Sequence, residues 1–368
     1  MQTMKTLLAC LVIVFAPVAL CAADQGKAFG VAVSKLTDQP DEWFKSQTGK
    51  ATCDNIVSWQ NDIGGWWKSY DATNPRPAAV ATRPNSGPPG DDDNVWHKTS
   101  TIDNDATYSE LRVIARAARV LGDQKYKDCF NRGLHYLFEA QYPNGGWPQR
   151  YPLQENYGRH ITFNDNAMLG VMQLLRDVAD NKPDFAFVSS EDRAHAKTAF
   201  DKGIDCILSC QVKINGKLTV WCQQHDEITL APAGARAYEL PSLTGGESSG
   251  LTMLLMSLEK PSQRIRDSIE AAVAWYQANE IKGKRFEHFQ GPDGFDARLE
   301  DDPSAPPLWA RFYDLETGKP FVCGRDGIKR DSLADIPRER RAGYQWYGYW
   351  GDKVLEEYPK WKSRIGNN

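Results

Sequence analysis

The sequence predicts a mainly α protein, an α/α toroid with long loops and short strands. Apolar residues recur at helical spacing, the helical segments come in pairs, and similar Gly- and Trp-rich segments follow the pairs. Leu111, Ile114, Ala115, Ala118 and Leu121 form one apolar stripe. Tyr126, Cys129, Phe130, Gly133, Leu134 and Leu137 form its partner beyond a break at Gly122 and Asp123. A second pair runs through Met168, Val171, Leu174, Leu175 and Val178, then Ala196, Phe200, Ile204 and Ile207. A third runs through Leu251, Leu254, Leu255 and Leu258, then Ile265, Ile269, Ala272 and Tyr276. Each pair reads as a helical hairpin with a short connection.

The connecting segments resemble one another. Asp62-Ile63-Gly64-Gly65-Trp66-Trp67-Lys68 returns as Tyr142-Pro143-Asn144-Gly145-Gly146-Trp147-Pro148-Gln149, and in degenerate form from Asn215 to Gln224. Aligning Trp67, Trp147 and Trp221 gives intervals of 80 and 74 residues, the length of one hairpin with its loops. Hairpins repeating at this interval suit a toroid whose loops line one mouth; an irregular helical domain is the alternative. Between Asn74 and Asp93 the chain is rich in Pro, Gly and Asp and reads as a long surface loop. After Ile281 helical patterning fades, which predicts loops and short strands on the helical body.

The 368 residues are 41% hydrophobic and 25% charged, an ordinary globular composition that excludes low-complexity disorder. A net charge of −4 argues against a nucleic-acid partner held by bulk positive charge. Residues 282–341 carry twelve basic and twelve acidic side chains, so an anion site there must be a local cluster. Met1–Lys5 is a basic start and Thr6–Leu20 an apolar run of secretory length, followed by small residues at Cys21, Ala22 and Ala23. Residues 1–23 therefore read as a signal peptide and 24–368 as one exported catalytic domain, secreted or periplasmic, with no membrane contact after cleavage. Six cysteines remain, at 53, 129, 206, 210, 222 and 323, with no zinc-ligand spacing. In an oxidising compartment, disulfides among them are expected.

Three groups of residues carry chemistry. Gly246-Glu247-Ser248-Ser249-Gly250 has the form of a nucleophile elbow, but no strand precedes it, and a capped helix start explains it better. Asp103-Asn104-Asp105 and Asn164-Asp165-Asn166 each precede an inner helix, at what read as equivalent repeat positions. Oxygen-rich clusters of this kind suit Ca²⁺, and they equally suit helix N-capping. Arg236, Arg311 and Arg325 lie in aromatic or Gly-containing sequence, where arginine clamps carboxylates or makes structural salt bridges, here to Glu239, Asp314 or Asp326.

Asn144-Gly145-Gly146-Trp147-Pro148-Gln149, the run from Ile161 to Met168, Trp221-Cys222-Gln223-Gln224, and the segment from Arg311 through Arg325-Asp326-Gly327 closely resemble family 10 pectate lyases. The motifs occur in order, and the resemblance covers Trp43 to Trp350. It implies an (α/α)₃ toroid that cleaves polygalacturonate by Ca²⁺-assisted β-elimination, here by a monomer acting on polygalacturonate or oligogalacturonides. Matched residue by residue, it makes Asp103 and Asp165 the metal-site acids and Arg236 the base. Arg311 and Arg325, with Asn104, become substrate-binding residues. Glu227 and the Asn74–Asp93 loop fall outside the matched motifs. Two other classes stay open: a glycoside hydrolase using Asp103 and Asp165, which leaves the arginines idle, and a non-catalytic carbohydrate-binding protein.

Overall fold

A computed structural model describes residues 32–68, 70–77 and 99–366. Residues 1–23, expected to be a signal peptide, and most of the Asn74–Asp93 loop lie outside them. Three helical hairpins form the body: α3 (Tyr108–Leu121) with α4 (Gln124–Ala140), α5 (Ala167–Ala179) with α6 (Ser190–Cys210), and α7 (Glu247–Met256) with α8 (Gln263–Ala278). They follow α1 (Asp41–Lys45) and α2 (Gln47–Trp59) and precede α9 (Arg338–Ala342) and α10 (Trp350–Gly366). Helices α3, α5 and α7 pack side by side as an inner row, with α4, α6 and α8 outside them, in the α/α toroid arrangement. Helix α2 packs on α3 at one end, and α10 on α7 and α8 at the other.

Sequence determines where these helices stop and how closely they approach. Helix α3 ends at Gly122, whose φ of 72° is left-handed and cheap only for glycine. Asp123 then caps α4 by accepting from the Lys125 amide. Ser189 and Ser262 cap α6 and α8 in the same way. A side chain at Gly170 would collide with the Tyr108 ring, so that glycine sets the separation of α5 and α3. The inner helices are buried over most of their length, and the buried apolar residues join into one cluster from Val33 to Trp361.

The repeat is carried by a hydrogen bond. Trp66, Trp147, Trp221 and Trp309 are fully buried. Their indole N–H groups donate to the carbonyls of Ile56 (2.9 Å), Leu137 (2.8 Å), Ile207 (2.7 Å) and Tyr276 (3.0 Å), in the last turns of α2, α4, α6 and α8. Gln60, Gln141 and Gln211, each just past an outer helix, bridge a local carbonyl to one on the next outer helix, at Cys129, Ala199 and Ser268. The Trp66, Trp147 and Trp221 carbonyls accept from Thr101, Thr162 and Thr244, which lead into α3, α5 and α7. Each of these lead-ins also pairs antiparallel with the loop after the following tryptophan. The aligned residue is thus Trp66, not Trp67, which lies beneath the Arg150 guanidinium. Trp309 is a fourth copy.

Two further expectations change. The six cysteines among the described residues are buried thiols. Cys206 and Cys210 face along one helix with sulfurs 3.9 Å apart, too far for a bond, and behave as small apolar side chains. Beyond Ile281 the strands are present, the longest pair being Lys284–Gly291 against Gly294–Asp301. The chain then closes with α10, which repeats apolar residues at Trp350, Val354, Tyr358, Trp361 and Ile365. No helix among the described residues is long and apolar enough to cross a membrane.

Gln141→Ala leaves the Gly145 and Ala199 carbonyls without their side-chain donor. It is expected to cost about 1–3 kcal/mol, read as a lower urea midpoint at unchanged m-value.

Candidate active site

The site is assembled at the lead-ins to α3 and α5. Each begins with a short 3₁₀ turn, Asp103–Asp105 and Asn164–Asn166. Asn104 (φ 49°, ψ 51°) and Asp165 (φ 49°, ψ 31°) occupy the left-handed region, which Asn and Asp tolerate better than other side chains. The structural register therefore matches Asn104 with Asp165 and Asp103 with Asn164. The two acids are not at equivalent positions, contrary to the sequence expectation, because backbone conformation sets the alignment. They still meet. Asp103, Asn104, Asn164 and Asp165 line one cavity of about 110 Å³, together with Lys68, Gln149, Tyr157, Gln224, Arg236 and Glu239.

The tryptophan repeat places the charges. Lys68, Gln149, Gln223 and Arg311 each lie two residues after a repeat tryptophan. The Lys68 ammonium bonds Asp103 Oδ2. Gln223 donates to Glu247 Oε1 at 2.9 Å. The Arg311 Nη2 reaches Asn164 Oδ1 (3.3 Å), Asp165 Oδ1 (3.0 Å) and Glu247 Oε1. Burial alone would raise the pKa of Asp103, but Lys68 outweighs it and holds the carboxyl below its ordinary value. Asp165 moves the other way. Its burial, added to the nearby charges of Asp103 and Glu247, exceeds the help from Arg311, and its pKa is raised.

Four carboxylates, of Asp103, Asp165, Glu239 and Glu247, thus face three cations, of Lys68, Arg236 and Arg311. Asp103 Oδ1 and Gln149 Oε1 are buried acceptors with no hydrogen-bond partner among the described residues. Hard oxygen donors with an excess of negative charge fit a Ca²⁺ ion.

The three predicted arginines occupy different settings. Arg236 lines the cavity, and its Nε and Nη2 both bond the carboxylate of buried Glu239. Burial would lower its pKa, but Glu239 outweighs burial and raises it. Arg311 is buried behind Asn164 and Asp165, with its guanidinium 4.6 Å from the Tyr344 ring centre. Arg325 is exposed and pairs with Glu339 of α9 at 2.8 Å. It also reaches the Tyr238 ring, which Arg236 and Arg340 approach as well.

Lys68, Glu247 and Tyr344 were not singled out by sequence, whereas Glu239 was expected only as a salt-bridge partner, which it is for Arg236. Lys68 could have been found from its place after the first repeat tryptophan; Arg311 and Arg325 pair with Asp165, Glu247 and Glu339 rather than with the adjacent Asp314 and Asp326. A short buried strand, Leu243–Thr244, does precede the Gly246–Gly250 motif, contrary to the sequence expectation, but Ser248 is fully buried with its hydroxyl against the Trp221 backbone, so the motif is a helix start and not a nucleophile elbow. His160, Asp226 and Glu227 cluster with their ligand atoms within 4.8 Å of one another. Glu227 there is engaged by Arg159 at 2.6 Å and His160 at 3.2 Å.

A helical toroid with oxygen ligands and arginines at one mouth is an arrangement suited to an acidic polysaccharide. Comparison with known families agrees: residues 60–355 match the family described as pectic acid lyase. Among solved structures, a family 10 polysaccharide lyase from Cellvibrio cellulosa is 32% identical with a TM-score of 0.73. The match covers 88% of this chain and 95% of that one. An aspartate-to-alanine mutant of the Cellvibrio cellulosa lyase, in complex with trigalacturonic acid, is 31% identical with a TM-score of 0.73, covering 90% and 99%. A search of curated proteins gave no match. The chain belongs to the family 10 polysaccharide lyases.

Two outcomes follow for the site. Arg311→Met strands the Asp165 and Glu247 carboxylates and is expected to cost about 3–5 kcal/mol in urea unfolding. His225, on the strand bearing Gln224, is fully buried, donating from Nδ1 to the Leu230 carbonyl and accepting at Nε2 from the Cys222 amide. Burial lowers its pKa from 6.5 to about 4. Between those values the unfolded chain binds a proton that the folded chain does not, so stability falls as pH falls from about 6.5 to 4. The loss is on the order of 3 kcal/mol at the acid end. His225→Gln should shrink the difference in urea midpoint between neutral and mildly acidic pH.

Proposed function

We propose that this chain is a pectate lyase, acting as a secreted or periplasmic monomer that cleaves de-esterified polygalacturonate by β-elimination. The observation that carries this reading is the convergence of Arg236, Asp103 and Asp165 on one cavity in a chain of the lyase family. The complex of the Cellvibrio cellulosa mutant with trigalacturonic acid supports the substrate class, and the leader-like residues 1–23 support export.

In this reading a galacturonate unit is oriented by its carboxylates. Arg325 offers a guanidinium whose present partner, Glu339, is itself an exposed carboxylate that a uronate can replace. Arg311 presents fixed positive charge behind the cavity and has a buried Nε with no acceptor among the described residues. Asn104 lies exposed at the rim and offers an amide to substrate oxygens. Asp103 and Asp165 would hold Ca²⁺, whose charge would offset that of the uronate carboxylate next to the reacting carbon.

Arg236, in neutral form, takes the proton from C5. The electron pair of that bond forms the C4–C5 double bond, and the C4–O4 bond breaks with its electrons on the leaving oxygen. The carbanion character at C5 is spread into the C6 carboxylate, where fixed positive charge stabilises it. Asp165, with its raised pKa, favours a second reading as the acid of a hydrolase.

The products decide between the readings. Elimination gives oligomers one water lighter than hydrolysis does, and mass spectra of a polygalacturonate digest should contain the lighter series. Because Glu239 raises the pKa of Arg236, the rate should climb with pH above neutrality. Arg236→Lys should lower kcat by roughly 10²- to 10⁴-fold with little change in KM. Hydrolytic masses, or a rate falling above neutral pH, would overturn the assignment.

A further inference from the structure

Arg236 does not stand alone in the mouth. Its Nε bonds Glu239 Oε2 at 2.7 Å, its Nη2 bonds Oε1, and its own backbone amide lies 3.2 Å from Oε2. Glu239 is 2% exposed, so a buried carboxylate meets one edge of the planar guanidinium fork through both oxygens. A fork held at two points loses the freedom that a single contact would leave it.

The carboxylate is anchored in turn. The Tyr344 hydroxyl, 105 residues along the chain, donates to Glu239 Oε1 at 2.9 Å. The same tyrosine turns its ring to Arg311, with the guanidinium carbon 4.6 Å from the ring centre. Its ring is fixed edge-on to Tyr238 and tilted against Trp346. One side chain therefore links the Arg236–Glu239 pair to the Arg311–Asp165–Glu247 network by a hydrogen bond on one side and a cation–π contact on the other.

We propose that Glu239, held by Tyr344, is the positioning residue that aims the Arg236 guanidinium into the mouth. This deepens the lyase function and rests on it. Glu239 is not asked to touch a reacting atom. Its effect is exerted through Arg236, and it has a consequence that mere scaffolding lacks. A carboxylate against the guanidinium stabilises the protonated form, so the aim is obtained at the expense of the fraction that is neutral at a given pH.

The other charged and titratable groups around Arg236 are Tyr238 on its own loop, Asp103 at the start of α3, and Arg325 after the Pro320–Cys323 strand. Lys68 and Asp165 lie across the cavity, and Arg340 lies on the Tyr238 ring. Of the carboxylates, Glu239 alone is hydrogen-bonded to Arg236 among the described residues.

Two variants separate aiming from scaffolding by moving the pH profile in opposite directions. Glu239→Gln keeps an acceptor for one guanidinium N–H and loses the charge. The rising limb of kcat against pH should move acidward by about one unit or more. The plateau should fall roughly tenfold or more because the fork is held less firmly. Tyr344→Phe keeps the ring beneath Arg311 but removes the hydroxyl that shares the Glu239 charge. Its rising limb should move slightly alkaline, the reverse of Glu239→Gln. Thermal unfolding of both variants checks that they fold.

If folded variants lose rate in parallel at every pH, with the limb unmoved, Glu239 is scaffolding and the inference is overturned while the lyase function stands. If the wild-type chain gives no elimination product at any pH, both fall together.

Discussion

A buried indole N–H that must find an acceptor is the constraint on which the architecture depends. Leaving such a donor unpaired would cost about 1–3 kcal/mol, and a tryptophan fully enclosed by helices has few partners to choose from. In all four copies the partner is a carbonyl near the end of the preceding outer helix. That bond fixes where the chain emerges from the helix. The tryptophan's own carbonyl then pins three of the lead-ins to the inner helices. Two residues after each tryptophan, the chain has turned toward the mouth, and this position carries Lys68, Gln149, Gln223 and Arg311. The packing device of the toroid is thus also the device that delivers charge to the site.

The charges so delivered are nearly balanced, and each is expensive to bury alone. Lys68 holds Asp103, Arg311 holds Asp165 and Glu247, and Glu239 holds Arg236. The carboxylates exceed the cations by one within this network, and the buried oxygens Asp103 Oδ1, Gln149 Oε1 and Gln223 Oε1 lack donors among the described residues. Such an excess of carboxylate oxygen suits a divalent cation, and the arginines suit an anionic sugar. An acidic chain can bind an acidic polymer because local groups, not net charge, set the field at the site.

The three hairpins were legible because their apolar stripes are long and their ends are marked, as by Gly122, Asp123, Ser189 and Ser262. The tryptophan register was not, since Trp66 and Trp67 are adjacent and only burial and a hydrogen bond distinguish them. Trp309 was hidden because its segment lacks the Gly-Gly that marks the first two copies. Backbone conformation shifted the Asp103 and Asp165 alignment by one residue, through left-handed angles that a periodicity count does not contain. The matched motifs brought Asp103, Asn104, Asp165 and Arg236 to one cavity. Arg311 stands behind it, and Arg325 lies toward the surface. Glu239 lies only three residues from Arg236, but the other partners come from far along the chain, Tyr344 for Glu239 and Asp165 and Glu247 for Arg311, and no local pattern announces those. The cysteines were misjudged because the expected export argues for pairing, whereas the structure buries all six described cysteines as free thiols.

The most direct test of the central claim follows ultraviolet absorbance of polygalacturonate with purified mature protein, first with calcium and then with chelator. The account predicts a rise from the unsaturated uronate that needs calcium and stops when the ion is removed. New reducing ends without that absorbance, or a rise indifferent to chelator, would contradict it.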